Sequence, residues 1–291
     1  MCLSMRGWRS AAISLVIGGV VVLFPSASLV LAQNATAGAA QKMIKPLTYP
    51  TARKGDQVDD YHGVKVTDPY RWLEDLDSEE TRKWVEAQNA LTNSFLSQIP
   101  ARATIKDRLT KLWNYERFGV PFREGKNYFY SRNSGLQNQS VLYTVTSLDG
   151  QPTLLLDPNT LSTDGTVALS GIAASNDGKL LAYSLSASGS DWQEWKVRDV
   201  TTGKDLVDNL KWVKFSGASW TPDNQGFFYS RYDEPKSDSL KGTNYFQKLY
   251  YHKLGTPQSE DVLIYDDKVN PQRFQNVGTT EDERFAILSV S

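Results

Sequence analysis

Apolar positions follow two different periods along this chain, and the change falls near residue 119. Between Tyr49 and Phe118 they recur at spacings of three, four and seven residues, which is typical of amphipathic helices. From Val120 onward, short apolar runs alternate with turns rich in Asn, Ser, Asp and Gly, which is typical of antiparallel strands. The pattern predicts an α-helical N-terminal arm over 49–118 and a mainly β region over 119–291.

The arm begins with two helix-start signals close together. Asp68 supplies a capping carboxylate and the proline after it suits the first helical position, which predicts a short helix over 70–75. Asp77 with Glu80 three residues later resembles a capping box, and Glu79 with Lys83 adds an ion pair, so a second helix should run to about 96. Trp84, Leu91 and Phe95 form its apolar stripe. A third helix is predicted after Pro100, with Ile105, Leu109, Leu112 and Trp113 on its apolar face.

A turn motif recurs in the β region. Asp177, Asp223 and Asp282 each stand in a polar turn before an apolar strand, at intervals of 46 and 59 residues. A period near fifty residues with about four strands per unit indicates propeller blades. We therefore predict an incomplete β-propeller of about three blades and the start of a fourth. Each turn Asp is expected to shape a hairpin. The sequence has no Cys/His cluster and no Asp-x-Asp-x-Asp-Gly loop, so we expect neither a metal nor a cofactor.

The balance of charge excludes one class of partner. The chain has 32 Lys and Arg against 33 Asp and Glu, which gives no electrostatic reason to expect binding to nucleic acid or to an anionic membrane surface.

The first 32 residues have the composition of a secretory signal peptide. Arg6 and Arg9 precede 22 uncharged residues, and small residues at 30 and Ala32 mark a cleavage site before a polar spacer over 33–48. An uncleaved anchor is the alternative, but Pro25 interrupts the apolar run and favours cleavage. Cleavage removes the single cysteine, Cys2, so the mature protein needs a hydrophobic core without disulfides. We expect a secreted or periplasmic protein with no stable membrane partner.

One aromatic pair is a candidate for contact with a substrate. Trp192 and Trp195 flank two polar residues at the start of a predicted strand, and rigid aromatic side chains often line peptide-binding surfaces. Packing between blades is the alternative explanation for both. The two tryptophans remain the only substrate-binding candidates that the sequence offers.

Four segments of the chain carry a family resemblance. They are Asp59–Asn89 (DDYHGVKVTDPYRWLEDLDSEETRKWVEAQN), Ser186–Lys204, Ala218–Pro235 and Gln247–Asp267. In this order they resemble the prolyl oligopeptidase family of serine peptidases, and the resemblance extends from about Tyr49 to the last residue. It implies a propeller of the seven-bladed type. It also implies that the helical arm packs on an α/β-hydrolase domain.

The resemblance also implies where the chemistry should lie. The family carries its nucleophilic serine on a Gly-x-Ser-x-Gly elbow in the hydrolase domain, followed by Asp and His. No such pentapeptide occurs here, and neither histidine, His62 in a turn or His252 in an apparent strand, matches the family's catalytic position. We therefore expect no catalytic residue in this chain. Because Ser291 falls within a predicted strand, we expect a fragment with exposed apolar faces.

Two classes of function follow from the resemblance and the missing triad. The first is the N-terminal portion of a secreted endopeptidase that hydrolyses short peptides after proline, with the propeller as a size filter and this portion inactive alone. A related enzyme that cuts after Lys or Arg is a variant of it. The second is a non-enzymatic propeller of the cell envelope that binds a peptide or protein. The first is favoured because the second does not explain the arm over 59–89.

Overall fold

The computed structural model describes residues 47–147, 149–235, 242–280, 282 and 284–291. The predicted signal peptide and nearly all of the predicted spacer lie outside the described residues. The chain divides into two compact units between Pro100 and Ala101. The sequence prediction puts the end of the arm at 118, so the third predicted helix falls in the second unit. Within the described residues, no helix is long and apolar enough to cross a membrane.

The first unit contains a hairpin and a long helix. The hairpin pairs β1 (Val58–Tyr61) with β2 (Val64–Thr67), and α1 covers Glu79–Ser97. His62 and Gly63 form the hairpin turn with φ of 55° and 89°, the left-handed conformation that a two-residue turn requires. The short helix predicted over 70–75 is a 3₁₀ helix, Arg71–Glu74. The Asp68 carboxylate accepts from the Tyr70 amide at 3.2 Å, just before that helix.

The start of α1 corrects one prediction and confirms another. The N-cap is Ser78, whose Oγ accepts from the Thr81 amide at 3.2 Å, and not Asp77. Glu80 does not close a capping box, because with Ser78 as the N-cap it is the second helical residue, and its carboxylate accepts two hydrogen bonds from Arg53, of 2.7 and 3.0 Å. Charge-assisted, two-point contacts of this kind are stronger than a single bond to a backbone amide. The predicted Glu79–Lys83 ion pair is present at 2.7 Å.

The second unit begins with α2 (Arg102–Trp113), followed by antiparallel sheets. Blade 1 contains β3 (Arg117–Phe118), β4 (Phe122–Glu124), β5 (Asn127–Asn133), β6 (Val141–Val145) and β7 (Thr153–Leu156). Blade 2 contains β8 (Val167–Ala174), β9 (Leu180–Ala187), β10 (Gln193–Asp199) and β11 (Asp205–Val213). Blade 3 contains β12 (Ser219–Trp220), β13 (Gly226–Arg231), β14 (Lys248–Lys253) and β15 (Val262–Asp266). A fourth sheet pairs β16 (Gln275–Thr279) with β17 (Ala286–Val290).

These sheets are the predicted three blades and the start of a fourth, and together they form an open, partial propeller. In blades 2 and 3 each strand pairs with the next along the chain; in blade 1, β3 and β4 both pair with β5. The strands predicted at 128–130, 141–145 and 153–156 coincide with β5, β6 and β7. Apolar side chains of the fourth sheet remain exposed to solvent, as expected: Ile287 of β17 is 58% exposed.

Side chains alternate between two seams because successive residues of a strand point to opposite faces of its sheet. On β9, Leu181 and Tyr183 pack in the first seam, between blades 1 and 2. Ala182 points the other way, into the second seam between blades 2 and 3, where it lies with Trp195 and Phe227. The core of the propeller is therefore a series of layers between neighbouring blades.

The three turn aspartates adopt one geometry, as predicted. Asp177 accepts from the Ser175 hydroxyl at 2.8 Å and from the Lys179 amide at 3.0 Å. Asp223 accepts in the same way from Thr221 and Gln225, and Asp282 from Thr280 and Arg284. Each carboxylate thus closes the turn between the first two strands of its sheet, so its acceptor sites serve the hairpin.

Candidate functional site

A cleft of about 650 Å³ lies on blade 2, at the end where β8 and β10 begin and β9 and β11 end. This volume is in the range of small-molecule and short-peptide sites. Apolar side chains form much of its wall, and Glu194, Lys196 and Lys211 add charges of both signs. The lining residues are Leu161, Val167, Leu185, Ser186, Ala187, Ser190, Trp192, Gln193, Glu194, Lys196, Lys211 and Trp212.

Neighbouring side chains fix the ring of Trp192 in this wall. Trp212 and Tyr232 each meet it edge-on, with ring centroids 5.7 and 6.1 Å away. The Lys214 ammonium lies 4.1 Å from the ring centroid, and because Lys214 is only 8% exposed this cation–π contact is little weakened by water. The Trp192 amide also donates to the Ser190 hydroxyl at 3.1 Å. A ring held on several sides loses little entropy when a ligand binds.

Trp195, the other candidate, lies away from the cleft. It is 2% exposed and packs in the second seam with Val197 and Leu210. The period of a strand explains the difference: residue 195 points to the face of β10 opposite to Glu194 and Lys196, which line the cleft. We therefore assign Trp195 to packing between blades.

The sequence interpretation did not include Trp212 and Lys214. Trp212 stands near the end of β11 and Lys214 just after it, and a lysine two positions from a tryptophan was the signal that the sequence offered. The backbone adds a second one: Trp212 has a φ of 61°, an uncommon value for a bulky residue. Strained positions of this kind cluster at binding sites, although the sequence does not reveal them.

The two histidines occupy very different places. His62 is exposed in the β1–β2 turn, whereas His252 in β14 is completely buried. The Nδ1 atom of His252 lies 2.6 Å from Asp261 and its Nε2 atom 2.9 Å from Asp208. With both nitrogens engaged by carboxylates, this ring cannot take a proton from a serine hydroxyl.

The cleft contains groups for binding but no activated nucleophile. Its serines, Ser186 and Ser190, lie among lining residues that include no histidine, and a serine hydroxyl reacts only when a base removes its proton. Among the described residues, no group of three or more His, Cys, Asp or Glu side chains is arranged to hold a metal ion. The geometry of the cleft therefore supports recognition of a ligand.

Comparison with known proteins identifies the family to which this chain belongs. Residues 49–291 match the family model described as "Prolyl oligopeptidase, N-terminal beta-propeller domain". The chain belongs to this family. The family's catalytic domain is not included in these residues.

Individual relatives agree. A prolyl endopeptidase of Elizabethkingia meningoseptica is 42% identical over 265 residues, which cover 91% of this chain and 37% of that enzyme. Prolyl oligopeptidase A of Amanita bisporigera is 37% identical over 276 residues, covering 84% and 36%. The chain thus spans little more than a third of the length of the curated relatives it matches.

Solved structures extend the comparison to three dimensions. Prolyl oligopeptidase B from Galerina marginata, bound to a 35mer hydrolysis and macrocyclization substrate, aligns with a TM-score of 0.72 at 33% identity, covering 85% of this chain and 38% of that one. A structure from an analysis of two prolyl endopeptidases aligns at 42% identity with a TM-score of 0.57, covering 84% and 35%. The partial propeller is therefore the fold of the family's N-terminal domain.

Proposed function

We propose that these residues are the N-terminal portion of a secreted serine endopeptidase that hydrolyses short peptides after proline. The match of residues 49–291 to the family's propeller domain carries the proposal. In it, the propeller admits short peptides and excludes folded proteins, and the reacting serine, aspartate and histidine come from the hydrolase domain. The basic and then apolar leader before Gln33 supports secretion, and N-terminal sequencing of the exported protein decides between cleavage and an anchor.

The 291-residue chain alone is expected to show no peptidase activity, because the cleft lacks a base for its serines. Fusion to all of the 42% identical relative that follows its matching segment is expected to give hydrolysis of a chromogenic Gly-Pro peptide. The matched control is the same fusion with its catalytic serine replaced by alanine. Turnover by the chain alone that survives repurification and is abolished by a serine-directed inhibitor contradicts the first expectation.

A second role is supported by the cleft itself. We propose that the wall around Trp192 binds proline-containing peptides, because rigid aromatic surfaces suit the preformed extended helix of such segments. Trp192→Ala is expected to weaken binding of a proline-rich peptide by about tenfold or more, as for a central aromatic contact. Isothermal titration measures this, with Trp113→Ala, an exposed tryptophan in α2, as the matched control. Equal affinities of the two variants contradict the role of the cleft.

A further inference from the structure

A buried chain of three charged side chains crosses the second seam. Asp208 lies on β11 of blade 2, His252 on β14 of blade 3, and Asp261 just before β15. The imidazole stands between the two carboxylates, with Nε2 2.9 Å from Asp208 and Nδ1 2.6 Å from Asp261. All three side chains are 0% exposed. We name these three residues the His252 clasp.

The geometry determines the protonation state of the ring. An ionised carboxylate only accepts hydrogen bonds, and a neutral imidazole has a single N–H to donate. Both ring nitrogens of His252 face carboxylate oxygens, so two ionised carboxylates require a proton on each nitrogen, which makes the ring an imidazolium. A neutral ring would place one nitrogen lone pair against a carboxylate, away from water, which is costly in a buried site.

The surrounding groups hold the two carboxylates as acceptors. The Gly255 amide donates to Asp208 at 2.6 Å, and the Tyr229 hydroxyl of β13 donates to Asp261. Arg231, also on β13, is the other charged group that acts on this cluster among the described residues, through Tyr229. Burial raises the pKa of Tyr229, so its hydroxyl keeps its proton at alkaline pH.

The clasp is one of several polar contacts between blades 2 and 3, which include a 2.9 Å hydrogen bond from the Tyr232 amide to the Trp212 carbonyl and one from Trp220 Nε1 to the Ala173 carbonyl. Beside it, the Gln258 side chain exchanges two 3.0 Å hydrogen bonds with the backbone of Lys211 on β11. The apolar cluster around Trp195 fills the same seam. Apolar packing brings the two sheets together but has no preferred direction. The clasp adds a directional contact, which holds Asp208 against His252, 44 positions later in the chain.

We propose that the His252 clasp is a protonation-dependent lock: it stabilises the seam between blades 2 and 3 only while the imidazole carries both protons. Loss of one proton replaces a charge-assisted hydrogen bond with a repulsive contact and leaves the two buried carboxylates without their positive counter-charge. The seam is then held by its apolar layer and its uncharged hydrogen bonds, among them those of Gln258, Tyr232 and Trp220.

The direction of the pH dependence follows from the shifts. Burial alone would lower the pKa of His252, but the hydrogen bonds to Asp208 and Asp261 raise it to about 9. For Asp208, burial opposes ionisation, yet the hydrogen bonds from His252 and Gly255 hold its pKa below the ordinary value. The stabilisation from His252 is therefore complete below the ordinary histidine pKa, about 6.5, and is lost as the pH rises through about 9.

Nitrogen NMR of the intact 291-residue chain tests the protonation state directly. The chain has only two histidines, so exposed His62 serves as an internal reference and His252→Gln assigns the signals. Both ring nitrogens of His252 are expected to show imidazolium shifts at pH 7.5. A neutral His252 ring at that pH overturns the proposal, whatever the stability of any variant.

Urea unfolding of the wild-type chain and of His252→Gln between pH 6 and 10 tests the lock. Between the ordinary and the raised pKa of His252, loss of its proton lowers the folding equilibrium constant of the wild type by up to about tenfold per pH unit. His252→Gln has no such proton to lose, so the difference in unfolding free energy between the two proteins should narrow as the pH rises. Tyr229→Phe is the matched control, because it removes a hydrogen bond to Asp261 and leaves the imidazole in place. The stability difference between this variant and the wild type should stay constant up to about pH 9, below the ordinary tyrosine pKa of about 10. A difference in unfolding free energy between the wild type and His252→Gln that does not change with pH overturns the proposed lock.

Discussion

Trp195→Ala is expected to lower the free energy of unfolding by about 3 to 5 kcal/mol, the usual cost of removing a large buried aromatic side chain. The indole is 2% exposed and fills the second seam with Val197, Leu210 and Phe227. It also packs on β8, where a Cβ added to Gly171 would come within 3.3 Å of the ring. A loss of this size is a large fraction of a typical net stability of about 5 to 15 kcal/mol.

Two variants isolate the packing contribution. The Trp195 Nε1 atom has no hydrogen-bond partner among the described residues, so Trp195→Phe removes no bond and should cost much less than the alanine variant. Trp113→Ala makes the same chemical change at a residue that is 63% exposed, and it should cost less than about 1 kcal/mol. Urea unfolding followed by circular dichroism measures all three. If Trp195→Ala and Trp113→Ala shift the midpoint equally, the second seam is not a cooperative core.

Gly178→Ala is expected to cost more than about 2 kcal/mol, since left-handed strain of about 1 to 2 kcal/mol adds to a steric clash. Gly178 has a φ of +71°, and a Cβ built there would lie 2.3 Å from the backbone oxygen of Glu124. Gly125, with a φ of +56°, meets Asp177 in the same way at 2.2 Å. The first hairpin turns of blades 1 and 2 therefore touch backbone to backbone, and Asn127 adds a 2.9 Å hydrogen bond to the Gly178 carbonyl.

Gly203→Ala separates strain from clash. Gly203 has a nearly identical φ of +66°, but nothing lies within 4 Å of an added Cβ, so this variant carries the strain alone. Thermal unfolding of both variants measures the difference, which we expect to be at least about 1 kcal/mol, the lower end of overpacking costs. Equal destabilisation would show that the two turns separate without cost and that their contact does not fix the angle between blades 1 and 2.

Local chemistry made much of this fold predictable. The spacing of apolar residues located α1 and α2 within a few positions, and the Asp turns at 177, 223 and 282 marked the first hairpin of each later sheet. Such signals act over two to seven residues and need no partner from elsewhere in the chain. The N-cap of α1 was misplaced by one residue because Asp77 and Ser78 are both good capping residues, and the structure uses the Ser78 hydroxyl.

The sequence by itself determined the family and the order of helices and blades, because strand period, turn chemistry and family motifs are written in neighbouring residues. Only the tertiary structure decided that Trp192 lines a cleft while Trp195, three positions later, fills a seam. It alone brought Asp208 to His252 across 44 residues. The reason is physical. The period of a strand fixes which residues share a face, but what covers that face depends on how the blades stack. Buried charges need a partner only once stacking has excluded water from around them.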